Sequence, residues 1–150
     1  MAQRLLASPL PARLAYAWSD GTPRLVLIGF HWNGTEIVLG TPPDKPKMKV
    51  LRDGMKVAVS IDTDTMPFNV LQIRGTARTD VVDGIAPEYE AMTIRSLGNE
   101  MGRTWLENLR PICPQMARVF ITPEWVAILD FQQRFPSAIE RPMERAGSAS

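Results

Sequence analysis

Along the first half of the chain, hydrophobic and polar positions fall into short apolar runs divided by turn signals. Arg13 to Trp18 (RLAYAW) reads as a β-strand. Ser19 to Pro23 (SDGTP) reads as a tight turn, because Asp-Gly tolerates the positive φ of a hairpin. Arg24 to Trp32 (RLVLIGFHW) is almost continuously apolar, the pattern of a strand covered on both faces. Asn33-Gly34 predicts a second hairpin, of type I′, leading into a strand from Ile37 to Gly40. That strand stops at Thr41 before two prolines. The chain then restarts as a short helix that Asp44 can cap and whose first turns carry Lys45, Lys47 and Lys49.

Met55 to Asp62 (MKVAVSID) alternates as a half-buried strand should. Asn69 to Val82 (NVLQIRGTARTDVV) reads as one long strand, bent or bulged at Gly75. A helical section follows Asp83-Gly84, with Pro87 near its first turn and Glu88 and Glu90 at its positive end. Tyr89, Met92 or Thr93, Leu97, Met101, Trp105 and Leu109 recur at the spacing of a buried helical face, while Gly98 and Gly102 predict a break into a helix pair. Ala117 to Thr122 and Trp125 to Phe131 are two further strands, split by Pro123-Glu124. Short strands joined by tight turns, with no helices between the early ones, favour an antiparallel β-barrel with one helical insertion.

Length and composition narrow the classes without naming a function. The 150 residues suit one domain, expected over residues 1–135, with a polar, Pro-containing tail over 136–150. A formal net charge of +1 gives no global field to attract nucleic acid. The apolar run at the N-terminus is broken by Pro9 and Pro11, so neither a signal peptide nor a membrane span is expected, and the expected location is the cytoplasm. With one cysteine, Cys113, and one histidine, His31, no metal cluster of the usual ligands is expected. His31 reads as a packed histidine, with haem iron as the alternative, and Cys113 as a small buried hydrophobe.

Candidate chemistry concentrates at Glu36 to Leu51 (EIVLGTPPDKPKMKVL). Thr41, the free N–H groups of a helix start and Lys47 could hold a phosphate. The alternative is a solvated connection with lysines for solubility. Arg24, at the head of an apolar strand, is a rim charge or an anion ligand. Gln72 and Arg74 alternate with Leu71 and Ile73, so they share the opposite face, either solvent-facing or lining a cleft. The four tryptophans read as core residues, or as a planar-ligand site or dimer interface. No Walker A loop, G-x-G-x-x-G or G-x-S-x-G is present.

The order R-L-V-L-I-G (Arg24–Gly29), L-G-T-P…K-P-K-x-K-x-L (Leu39–Leu51), the strand Met55–Asp62 and Q-I-R-G-T-A (Gln72–Ala77) resembles the pyridoxamine 5′-phosphate oxidase-like flavin-binding split barrels. The similarity spans residues 13–82, with a weaker echo over 116–131. It implies a six-stranded antiparallel split β-barrel of Greek-key type, with the helix pair between strands five and six. It also implies a homodimer with FMN, or the deazaflavin F420, in a groove between subunits, and hydride transfer involving a small organic substrate. A non-catalytic carrier of flavin, F420 or haem is the alternative. By the same resemblance Arg24, Leu25, Val26 and Leu27 lie along the cofactor, with Arg24 approaching the phosphate. Thr41 and Lys47 bind the phosphate, and Gln72 lies near the ring. No catalytic residue is implied. The chain lacks the Trp-Arg-Leu type of ending and carries Pro46 where the oxidases have a basic residue, which counts against vitamin B6 oxidation itself.

Overall fold

A computed structural model describes residues 1–131 and 147. The polar tail expected over 136–150 lies outside the described residues, apart from Gly147. Alternation sets the sheet. Along β5 (Lys56–Asp62), Val57, Val59 and Ile61 turn inward while Lys56, Ala58, Ser60 and Asp62 turn outward. Its antiparallel neighbour β6 (Asn69–Asp83) does the same with Leu71 and Ile73 against Gln72 and Arg74. These inward rows meet Leu14 of β1 (Ala12–Ala17), Ile37 and Leu39 of β4 (Ile37–Thr41), and Val119 and Ile121 of β7 (Gln115–Asp130) in one core.

All pairings are antiparallel, and with β2 (Pro23–Ile28) and β3 (His31–Trp32) the order is β2-β1-β5-β6-β7-β4-β3. Among the described residues the sheet thus has seven strands rather than the expected six, and it does not close on itself. Two local features move the strand boundaries: one predicted run splits in two, and two predicted runs merge. The run Arg24–Trp32 breaks at Gly29-Phe30, where Phe30 turns into the core and α2 (Pro87–Leu97) packs so closely on Gly29 that a Cβ there would meet the Met92 sulfur. Conversely, Ala117–Thr122 and Trp125–Phe131 are one strand, β7, because a bulge absorbs the interruption. Arg74 pairs with Trp125 and Gly75 with Pro123, leaving Glu124 as the extra residue.

The turns are set by glycine and by side-chain oxygens. Asn33 Oδ1 accepts from the Thr35 and Glu36 N–H groups at 2.9 and 2.7 Å. Gly34 alone of the central pair has positive φ, so the predicted hairpin forms without the type I′ geometry, which needs both. The chain opens with a helix the pattern did not predict, α1 (Ala2–Leu6), which delivers Leu5 and Leu6 to the core.

The helical section is a pair, as the glycines predict. Gly98, at φ +83°, separates α2 from α3 (Asn99–Leu109), and Pro87 occupies the first turn of α2. The buried face of the pair matches the predicted one only in part: Tyr89 and Leu109 pack against a buried cluster. Thr93, Gly102 and Leu106 are buried, while Leu97, Met101 and Trp105 are exposed. Gly102 is the reason: without a Cβ it lets α3 close onto Ile94 of α2, and the small-residue face turns inward in place of the large apolar stripe. No helix among the described residues is long and apolar enough to cross a membrane.

Candidate functional site

The outward rows of the sheet are in register across five strands. Leu27, Arg13, Ser60, Gln72 and Ala127 form one row, and Leu25, Ala15, Ala58, Arg74 and Trp125 form the next. Small residues at positions 15 and 58 leave the middle of this face low, between Leu25 on one side and Trp125 on the other. The result is a cavity of about 380 Å³ lined by Leu25, Arg13, Ser60, Gln72, Arg74 and Trp125. A neighbouring cavity of about 470 Å³ shares Ala15, Ala58 and Arg74 and extends to Tyr16, Lys56 and Glu124. Apolar walls with a few placed polar groups are the composition of small-molecule sites.

The residues singled out from sequence divide into two groups. Leu25 and Gln72 line the same cavity. Leu27 stands beside it in the adjoining row, and Leu25 and Leu27 are 69% and 62% exposed, so β2 presents a bare apolar edge. Val26 faces the other way, and its side chain packs against the core. Arg24 stacks on Trp18, its guanidinium carbon 4.8 Å from the ring centroid.

Thr41 and Lys47 lie elsewhere. Thr41 ends β4 opposite Ala117 and is buried. Lys47 sits in a 3-10 helix, Pro46–Lys49, between β4 and β5. The predicted Asp44 cap does not form: Lys45 is the capping residue, in extended conformation, and no side chain bonds the first N–H groups. One turn of 3-10 helix also carries little macrodipole, so any phosphate affinity rests on the lysine side chains. Lys47 is half-buried with no carboxylate partner among the described residues, and burial, then the neighbouring Lys45, pulls its pKa below the ordinary lysine value. Arg24 reaches toward the same end of the sheet. Trp18, its stacking partner, lines a cavity with Val50 and Arg52 to Met55, just past Lys47 in the chain.

His31 stands on β3 opposite Val38, at the far end of the sheet from the cavity holding Leu25 and Gln72. Its Nδ1 is buried without a hydrogen-bond partner among the described residues, and burial, then the Arg95 charge, lowers its pKa, with Glu88 opposing. That favours neutral imidazole. Arg95 donates to the Phe30 carbonyl oxygen and lies over the Phe30 ring at 5.3 Å. Cys113 is buried and its thiol pKa is raised by desolvation, which suits a packed hydrophobe rather than a nucleophile. Among the described residues no three His, Cys, Asp or Glu side chains are placed to hold a metal ion.

Two parts of the site escaped the sequence pattern. Arg74 and Trp125 were each visible as a polar strand residue and a tryptophan, but only the β6–β7 register places the guanidinium carbon of Arg74 4.0 Å from the centroid of the Trp125 ring. Small residues at 15 and 58 carried no signal of their own, because a floor is defined by what stands around it.

An antiparallel, unclosed sheet with a helix pair before its last long strand is a split-barrel fold, and solved structures of that fold superpose on this chain. A conserved hypothetical protein from Mycobacterium tuberculosis matches with a TM-score of 0.66 at 20% identity, over 88% of this chain and 84% of its own. An F420 reductase matches with a TM-score of 0.63 at 21% identity, over 83% and 94%. The haem storage protein of Vibrio cholerae matches with a TM-score of 0.59 at 12% identity, over 86% and 91%. Neither a protein-family profile nor a curated protein matches the sequence.

Proposed function

We propose that this protein binds a flavin-type cofactor, FMN or the deazaflavin F420, and is an oxidoreductase that passes hydride to or from a small organic substrate. The observation that carries this reading is that Leu25 and Gln72, 47 positions apart (72 − 25), line one cavity with a tryptophan at its far wall. An F420 reductase among the proteins sharing the fold supports it.

When bound, the cofactor supplies the hydride chemistry. The chain supplies the surroundings. Leu25 and Leu27 present an apolar edge against which a flat ring is kept from water, and the Gln72 amide can donate to or accept from a polar ring edge. Lys47, half-buried and with no carboxylate partner among the described residues, is suited to a phosphate, with the Thr41 hydroxyl and Arg24 as further donors. Because these groups lie on a different part of the chain from the cavity, the proposal includes a homodimer in which two copies frame each groove. The bare apolar side chains of Leu25, Leu27, Val126 and Ile128 support such a partner.

Absorbance and tryptophan-fluorescence titrations with FMN and with F420, run separately, test the reading. Saturable quenching by one of them is expected, and the absence of any response to either overturns it.

A second reading, a carrier without turnover, is favoured by the lining of the cavity, which among the described residues contains no carboxylate, histidine or cysteine. The haem storage protein that shares the fold extends this reading to haem. A Soret band on adding haemin would support haem, and its loss in His31→Ala would place the haem at β3 rather than in this cavity. Steady turnover with reduced F420 or reduced FMN would exclude a pure carrier.

A further inference from the structure

Three cations border the two cavities on the outer face, and two of them are already neutralised. Arg13 donates to Asp62 at 2.7 Å, and Lys56 reaches Glu124 at 3.0 Å. Arg74 has no carboxylate partner among the described residues, yet it lines both cavities. Its guanidinium lies over the Trp125 ring of the directly paired position, 4.0 Å from the centroid to the guanidinium carbon. A guanidinium laid over a ring keeps its in-plane N–H donors free at the edges, the geometry that meets a carboxylate or phosphate side-on.

The placement is built into the backbone. The bulge at Glu124 shifts the β6–β7 register immediately after the Arg74–Trp125 pair. Without it Trp125 would fall on the inner face of the sheet, since one residue of slip reverses every side chain. Lys56 and the Thr76 hydroxyl engage the carboxylate of the extra residue, Glu124, which lines the same cavity as Arg74.

We infer that Arg74 is a specificity residue, selecting a planar ligand that carries an anionic group on this face. The planar shape rests on the cofactor-groove reading above, whereas the charge selection rests on Arg74 and its surroundings.

Benzoate and benzamide share a flat shape and differ in charge, so tryptophan-fluorescence titration of the full chain with each is the test. Benzoate is expected to bind at least about tenfold more tightly than benzamide, the size of one charge-assisted hydrogen bond. Arg74→Ala should bind the two probes alike, with Arg74→Lys intermediate and circular dichroism unchanged in both. Trp125→Phe, which keeps a ring beneath the guanidinium, should lose the fluorescence response. Equal binding of the two probes by the wild type, a preference surviving in Arg74→Ala, or a response surviving in Trp125→Phe overturns the inference. A benzoate preference in a protein that binds neither FMN nor F420 sustains Arg74 and removes the cofactor reading. Flavin binding without a benzoate preference does the reverse.

Discussion

Gly75 and Thr122 meet so closely across β6 and β7 that a Cβ on the glycine would collide with the threonine carbonyl oxygen. The contact sits at the register shift that places Arg74 over Trp125. Gly75→Ala should therefore force the two strands apart and cost about 1 to 3 kcal/mol, the usual range for overpacking a close-packed interior. A urea transition with a lower midpoint and unchanged slope would bear this out, and an unchanged midpoint would mean that the strands separate freely.

Arg118 joins the sheet to α2. Its Nε and Nη2 donate to the two Asp80 carboxylate oxygens at 2.9 and 2.6 Å, and its Nη1 donates to Glu88 at 3.2 Å. The Arg118 hydrogen bonds hold the Asp80 pKa below its ordinary value of 3.8. A carboxylate depressed in the folded state stabilises it above the unfolded pKa, and that contribution is lost as pH falls through the folded value. Stability should thus decline as pH drops below about 4, and Asp80→Asn should flatten that decline. Thermal melts from pH 6 to pH 2.5 would show it; parallel curves for the two proteins would exclude Asp80 as a source.

Lys47→Ala should weaken binding of FMN or F420 by about 1 to 3 kcal/mol, the range for one charge-assisted bond. Burial lowers the Lys47 pKa from 10.5, so its charge should be lost at a lower pH than an exposed lysine's. Phosphate-dependent affinity should accordingly fall on the alkaline side, beginning below pH 10.5. Equal affinity for FMN and for riboflavin, in wild type and variant alike, would place the phosphate elsewhere.

Leu27 and Ile128 are 62% and 48% exposed, on β2 and on the uncovered half of β7. A charge at either position would have to be buried in the proposed dimer at a cost of several kcal/mol. Leu27→Asp and Ile128→Asp should sediment as monomers at micromolar concentration where the wild type sediments as a dimer. A monomeric wild type would defeat the shared groove.

Asp83-Gly84, Pro87, Gly98 and the period-two alternation of Met55–Asp62 were legible because each expresses a local backbone preference or a local periodicity. The stripe Leu97, Met101 and Trp105 was legible as apolar and misassigned as buried, because spacing shows that a helix has an apolar face without saying what covers it. Asp44 was a sound cap by residue type, but the chain enters the 3-10 helix through Lys45 and Pro46, leaving the carboxylate outside the turn.

By itself the sequence determined an antiparallel β domain with a glycine-broken helix pair, and it marked Arg24, Thr41, Lys47 and Gln72 as positions of interest, with Leu25 added by the family resemblance. Tertiary structure decided that β7 runs through Pro123 as one strand, that the seven-stranded sheet stays open, and that Leu25 and Gln72 share a cavity while Thr41 and Lys47 stand apart from it. The division follows from range. Turns, caps and alternation are governed by neighbours a few residues away, whereas strand order and register depend on pairings between segments far apart in the chain, which no local pattern encodes.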